Sequence, residues 1–273
     1  FKNKVEKERI LLDALEEAKS VLAGGGRALF DLQMMPSWLS SKPSYKKGEY
    51  FRYPPDNYDT WRDLVAYVVD YFNRNGAGAA DYRIWEEADV GLTRENKFWY
   101  GNTGDFLKLY KSSVEGIRSV DKDAKVTFGM AGYKNEILPA MAAYAAKNNL
   151  PLDYIIWHPF RTPPYPHEYN YDVEYVKQML KKAGVKKNIG LHAESWNSWL
   201  DFGKPDLSNG WPDERSSERD TEYNAAYAIQ TLFALDAAGV AGHSFFSRVD
   251  FSYGKLFEAG VLGRHHHRHV ARL

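Results

Sequence analysis

The residues with the most chemical promise stand at the end of an apolar, aromatic run, Arg83-Ile84-Trp85-Glu86-Glu87-Ala88-Asp89. Three carboxylates in such a place need solvent, a partner or a task, because a buried, unpaired carboxylate is costly. A second run has the same form, Asn188-Ile189-Gly190-Leu191-His192-Ala193-Glu194-Ser195-Trp196-Asn197. Cleavage of a glycosidic bond asks for two carboxyl groups, one to protonate the leaving oxygen and one to meet the anomeric carbon. Glu87 and Glu194, each close to a tryptophan whose flat face suits a sugar ring, fit that request. One strand-end glutamate is ordinarily a salt bridge or a helix cap; two in matching surroundings favour catalysis.

Positioning them is the work of the elements between. Residues 3–22 carry apolar positions at helical spacing and stop at Gly24-Gly25-Gly26. Residues 27–35 read as a buried strand that breaks at Pro36, and the polar stretch 40–57 reads as a long loop of the kind that is usually functional. Helices are expected at about 58–75, 104–119, 136–148, 172–183 and 220–238, alternating with strands at 81–88, 125–131, 153–160, 188–195 and 241–248. That alternation indicates an α/β fold with a parallel sheet. A doubly wound open sheet is one candidate, but no G-x-G-x-x-G turn follows a strand. The long strand-to-helix loops at 36–57, 89–103, 160–171 and 196–219 favour a (β/α)8 TIM barrel, whose active site such loops build. Six strands are visible, so the first two of the barrel would lie upstream of Phe1. No linker divides the chain, and 1–273 reads as a single barrel domain. Glu87 and Glu194 then sit on the second and fifth visible strands, roughly 135° apart around an eight-stranded ring and facing one cleft.

Composition narrows the partners. Lys+Arg and Asp+Glu both number 36, which argues against nucleic-acid binding. No run of eighteen apolar residues exists to span a membrane. Cysteine is absent, so there are no disulfides to indicate a compartment. Tryptophan, tyrosine and phenylalanine together make up 15% of the chain, enough for both a core and sugar-stacking faces.

Trp85-Glu86-Glu87-Ala88 resembles the Trp-Asn-Glu-Pro acid/base motif of clan A glycoside hydrolases, and Glu194-Ser195-Trp196-Asn197 resembles the Thr-Glu-Trp-Asn nucleophile segment of glycoside hydrolase family 39. Met35-Pro36-Ser37-Trp38-Leu39-Ser40, Phe98-Trp99-Tyr100-Gly101 and Ser244-Phe245-Phe246-Ser247-Arg248-Val249-Asp250 are similar to further segments of that family, so the likeness runs from about 30 to 260. The resemblance implies a retaining β-glycosidase barrel acting on an oligo- or polysaccharide, with no cofactor or metal. Glu87 would be the general acid/base and Glu194 the nucleophile, with Trp85, Glu86, His158, Phe160, Trp196, Asn197 and Phe246 as sugar-binding residues. It also points to a secreted or periplasmic protein, although the start at Phe1 carries no signal-peptide pattern.

Four positions depart from the family. Glu86 replaces the asparagine that holds the sugar 2-hydroxyl, and its charge is expected to make Glu87 a weaker acid by repulsion. Ala88 replaces proline, Phe160 stands where clan A carries tyrosine, and Phe246 stands in place of a tryptophan. Those changes keep open a second reading, a carbohydrate-binding relative with impaired catalysis. A metal-dependent barrel hydrolase is disfavoured because no His-x-His lies on a visible strand. His265 and His269 have ligand spacing on a helix, but no carboxylate or cysteine accompanies them and they read as a solvated segment. Arg248 and Asp250 read as a salt bridge rather than sugar contacts.

Overall fold

The computed structural model describes residues 4–43, 49–78, 80–89, 98–130, 132, 136–159, 166–196 and 222–245. Six parallel strands, β1 (Leu29–Leu32), β2 (Asp81–Ile84), β3 (Val126–Met130), β4 (Tyr154–Trp157), β5 (Gly190–Trp196) and β6 (Gly242–Phe245), lie in the order β1-β2-β3-β4-β5-β6. Spatial order equals chain order, so the winding never reverses. A doubly wound sheet needs such a reversal, and the arrangement is instead an arc of a (β/α)8 barrel. Helix α1 (Lys4–Ala23) precedes β1, and α2 (Tyr58–Arg74), α3 (Thr103–Val120), α4 (Ile137–Asn148), α5 (Pro166–Lys182) and α6 (Glu222–Ala237) connect the strands.

Alternation along the strands sorts apolar from charged. Phe30 and Tyr82, paired in register on β1 and β2, face the helices, where Phe72 of α2 stacks on Phe30 at 3.8 Å. The residues next to them, Asp31 and Arg83, are likewise in register and face the concave side. One level nearer the strand starts, Asp81 accepts from Tyr154 Oη at 3.2 Å, and the Tyr154 ring stacks on His192 at 4.2 Å. This layer is a floor beneath Arg83.

Helices α2 and α3 show how sequence chemistry sets the outer layer. Asn57 caps α2 by accepting from Thr60 N at 2.9 Å, and its buried stripe is Trp61, Val65, Val69 and Phe72. Asn102 and Asp105 form a capping box at the start of α3. The helices touch closely because Gly116 has no side chain. A Cβ there would lie 2.5 Å from the Arg62 carbonyl oxygen and 3.1 Å from Val65 Cβ.

Two expectations are corrected. Helix α5 begins at Pro166 rather than near 172, since proline is favoured in a first helical turn and Tyr169, Val173, Val176 and Leu180 form one buried face. The strands expected to reach 35 and 88 stop at Leu32 and Ile84, because Met34 and Trp85 adopt left-handed backbone with φ of 65° and 66°. The stretch 40–57 also has structure of its own: a 3-10 turn at Glu49–Arg52, from which Phe51 O accepts from Met35 N at 2.9 Å.

Gly116→Ala is expected to destabilise the fold by about 1–3 kcal/mol through overpacking against backbone, read as a lower midpoint in urea with an unchanged slope.

Candidate active site

The turn after β2 creates the site. Trp85 and Glu87 both have positive φ, 66° and 43°, a strained choice costing about 1–3 kcal/mol each for residues with side chains. Packing of Trp85 offsets part of that cost. Its indole is 2% exposed, meets Trp99 edge-on at 4.9 Å and donates from Nε1 to Phe98 O at 3.0 Å. Asp89, also buried, accepts from Gly132 N at 2.8 Å and ties the turn to the chain beyond β3. Between these anchors Glu86 and Glu87 are presented to the concave side.

There they meet two cations. Arg83 is fully buried. Its Nε and Nη2 bind Asp31 of β1, Nη2 lies 2.7 Å from Glu86 Oε2, and Nη1 binds Glu194 Oε2 of β5. Burial opposes its charge, but Asp31, Glu194 and Glu86 outweigh that and hold the guanidinium more firmly protonated than usual. Gly129 of β3 makes the crossing possible, since a Cβ there would lie 2.9 Å from Arg83 Cδ and 3.4 Å from Glu86 Oε2.

The second cation is His158, just beyond β4. Its Nδ1 lies 2.7 Å from Glu87 Oε1, and its Nε2 lies 3.4 Å from Glu86 Oε1 and 3.9 Å from Glu194 Oε2. Burial alone would lower its pKa. Glu86, Glu194 and Glu87 overcome burial and push it up to about 10, so the ring is an imidazolium at neutral pH. Glu86, Glu87 and His158 offer ligand atoms within 4.8 Å of one another. Nδ1 is hydrogen-bonded to Glu87 Oε1, and Nε2 faces Glu86 and Glu194 at ion-pair distance; a metal bound there would need the imidazole neutral, with a lone pair to give.

Glu86, Glu87, His158 and Glu194 thus converge on one point. The expected repulsion of Glu87 by Glu86 is offset, because Arg83 and His158 stand beside Glu86. Trp85 and Trp196 depart from the expectation of sugar stacking. The first packs into the Trp99 layer, and the second is 1% exposed with its edge toward His243 at 6.0 Å. Phe160, Asn197, Phe246, Arg248, Asp250, His265 and His269 lie outside the described residues. Arg83 and Asp31 belong to none of the sequence motifs. Their signal is an opposite charge embedded in each of two short apolar strands, Leu29-Phe30-Asp31-Leu32 and Asp81-Tyr82-Arg83-Ile84, that pair side by side.

Consecutive parallel βα units with carboxylates gathered where the strands end define an α/β-barrel protein with its site at the C-terminal face. The chain belongs to family 39 of the glycosyl hydrolases, whose model matches residues 12–252. A beta-xylosidase of Caldicellulosiruptor saccharolyticus is 23% identical over 239 residues, which is 83% of this chain and 46% of that protein. A beta-xylosidase of Geobacillus stearothermophilus is 27% identical over 171 residues, 59% of this chain and 32% of that one. Among solved structures, a monomeric beta-xylosidase from Caulobacter crescentus CB15 matches with a TM-score of 0.61 at 17% identity, over 84% of this chain and 47% of that chain, a likeness of fold. The chain spans about half the length of these relatives or less. No helix among the described residues is long and apolar enough to cross a membrane.

Arg83→Met is expected to cost about 3–5 kcal/mol, because Asp31, Glu86 and Glu194 lose their shared buried counter-charge. Chemical denaturation at neutral pH measures it. His158 supplies a pH signature. Its folded pKa is raised from 6.5 to about 10, so its stabilisation is complete below 6.5, while its carboxylate partners remain ionised, and is lost as pH rises through about 10. Wild type should therefore lose stability across that window, and His158→Gln should flatten the decline.

Proposed function

We propose that the protein is a retaining glycoside hydrolase in which Glu87 is the general acid/base and Glu194 the nucleophile. The observation that carries the reading is the meeting of these two glutamates, from the turn after β2 and from β5, at opposite nitrogens of the single imidazole of His158. An imidazole is narrow enough to keep the pair within the carboxylate separations that glycosidases use, about 5–5.5 Å for retention and 6.5–9.5 Å for inversion. Membership of family 39 supports the retaining choice.

In the first step a Glu194 carboxylate oxygen bonds to the anomeric carbon. The carbon–oxygen bond to the leaving group breaks as Glu87 passes its proton to that oxygen. In the second step Glu87, now a carboxylate, takes a proton from water, whose oxygen bonds to the anomeric carbon and releases Glu194. Arg83 serves the first step by holding Glu194 ionised and oriented through a charge-assisted hydrogen bond. The substrate is a glycoside of an oligo- or polysaccharide. The relatives named beta-xylosidase make an aryl β-xyloside the first compound to try. Phe160, Asn197 and Phe246 are proposed to face the sugar.

One observation favours a second reading, a carbohydrate-binding relative without turnover. An imidazolium 2.7 Å from Glu87 stabilises a carboxylate, whereas the first step needs a carboxylic acid.

Hydrolysis of a panel of aryl β-glycosides and of plant and bacterial polysaccharides separates the two. Turnover by wild type is expected, and Glu194→Ala should abolish it. Glu87→Ala should slow substrates with poor leaving groups about 10²–10⁴-fold and activated aryl glycosides less. Activity surviving in Glu194→Ala would remove that residue from the nucleophile role. Glycan binding without turnover in wild type would establish the second reading.

A further inference from the structure

We infer that Glu86 is a positioning residue that couples the two working glutamates, rather than a sugar contact. The inference rests on the glycosidase reading for the roles of Glu87 and Glu194, and on geometry for the coupling. Arg83 holds Glu194 and His158 holds Glu87, and Glu194 Oε2 also lies 3.9 Å from His158 Nε2. Glu86 is the carboxylate that offers each cation a different oxygen. One of its oxygens lies 2.7 Å from Arg83 Nη2, and the other lies 3.4 Å from His158 Nε2.

The surroundings are built for that role. The Glu86 side chain is 7% exposed, so the carboxylate faces protein rather than an open cleft. Gly129 of β3 leaves space beside Glu86 Oε2 and Arg83 Cδ, where any larger residue would collide with the arginine. The charged groups facing the cluster come from β1, β2 and its turn, the end of β4, and β5. Among the described residues they are Asp31 from β1, Arg83 and Glu87 from β2 and its turn, His158 from the end of β4, and Glu194 from β5.

The direction of the effect follows from charge. A carboxylate at position 86 draws on both cations and leaves each less able to stabilise a second negative charge. An amide of the same shape draws on neither as strongly. Arg83 and His158 then act more fully on Glu194 and Glu87, and both glutamates ionise at lower pH. Coupling through shared cations moves both limbs of the rate profile together, as expected for interacting sites. A residue that only touched sugar would instead change KM and leave the limbs in place.

The test is the pH profile of kcat/KM for Glu86→Gln on whichever aryl glycoside wild type cleaves best, with Glu86→Asp as the conservative control. The whole bell is expected to move toward acid by about one pH unit, with KM changed less than about threefold, and Glu86→Asp should restore most of the wild-type position. A readout independent of turnover is the titration of the His158 ring followed by NMR. In Glu86→Gln its midpoint should fall below the wild-type value, because the negative charge of Glu86 is among those that raise it. If Glu86→Gln fails to fold, Glu86→Asn carries the same two measurements. An unmoved bell with a raised KM would overturn the inference and leave the glycosidase reading standing. A His158 titration shifted in Glu86→Gln, with a wild type that cleaves nothing, would do the reverse. An unmoved His158 midpoint would overturn the inference whatever the activity.

Discussion

The buried guanidinium of Arg83 is the constraint on which the rest of the site depends. Taking such a cation out of water costs several kcal/mol unless its hydrogens are met by charge. Here they are met by Asp31, Glu86 and Glu194, drawn from β1, the turn after β2 and β5. Three separate pieces of chain must therefore arrive at one point, and the curvature of the sheet is what lets β5 reach across to β2. Ion clusters of this kind are weak contributors to net stability, since their desolvation opposes most of the attraction. Their value is geometric. A guanidinium is planar and its hydrogens point in fixed directions, so carboxylates that bind it are oriented as well as neutralised.

A local sacrifice makes that convergence possible. Had β2 continued in extended conformation past Ile84, alternation would have sent Trp85 and Glu87 to one face and Glu86 to the other. The left-handed residues at 85 and 87 break the alternation, so that the indole enters the helix layer and both glutamates enter the cluster. Strained backbone persists only where the surroundings over-determine it. The Trp85–Trp99 contact and the bond from Trp85 to Phe98 do so on one side, and the bond from Gly132 to Asp89 does so on the other.

Much of this architecture could be read from residue order. The strands are apolar runs of four to seven residues between amphipathic helices, and that pattern survives tertiary context. Glu87 and Glu194 stand out in the sequence because carboxylates are conspicuous at the ends of such runs. Strand ends were less readable, because nothing in the side chains of Met34 or Trp85 announces a left-handed backbone. The start of α5 was hidden because Pro166 and the polar-aromatic run after it look like loop until Tyr169 is seen on the face shared with Val173 and Val176. The surroundings of Glu86 are hidden in the sequence for a different reason. Its neighbour in sequence is a carboxylate, but the two cations that decide its behaviour sit on other parts of the chain. Charge partners 52 and 111 residues apart, as Asp31 and Glu194 are from Arg83, become visible only when register places them together.

The bracket around the turn after β2 has a consequence for how this scaffold could change. The Trp85–Phe98 bond and the Asp89–Gly132 bond clamp the chain on both flanks of residues 90–97, independently of what those residues are. Whatever is inserted, removed or rewritten between the clamps starts and finishes at fixed points, so the paired glutamates are insulated from it. The segment between the clamps is thereby modular. Its length and composition are free to diversify, by evolution or by grafting, without renegotiating the charged core.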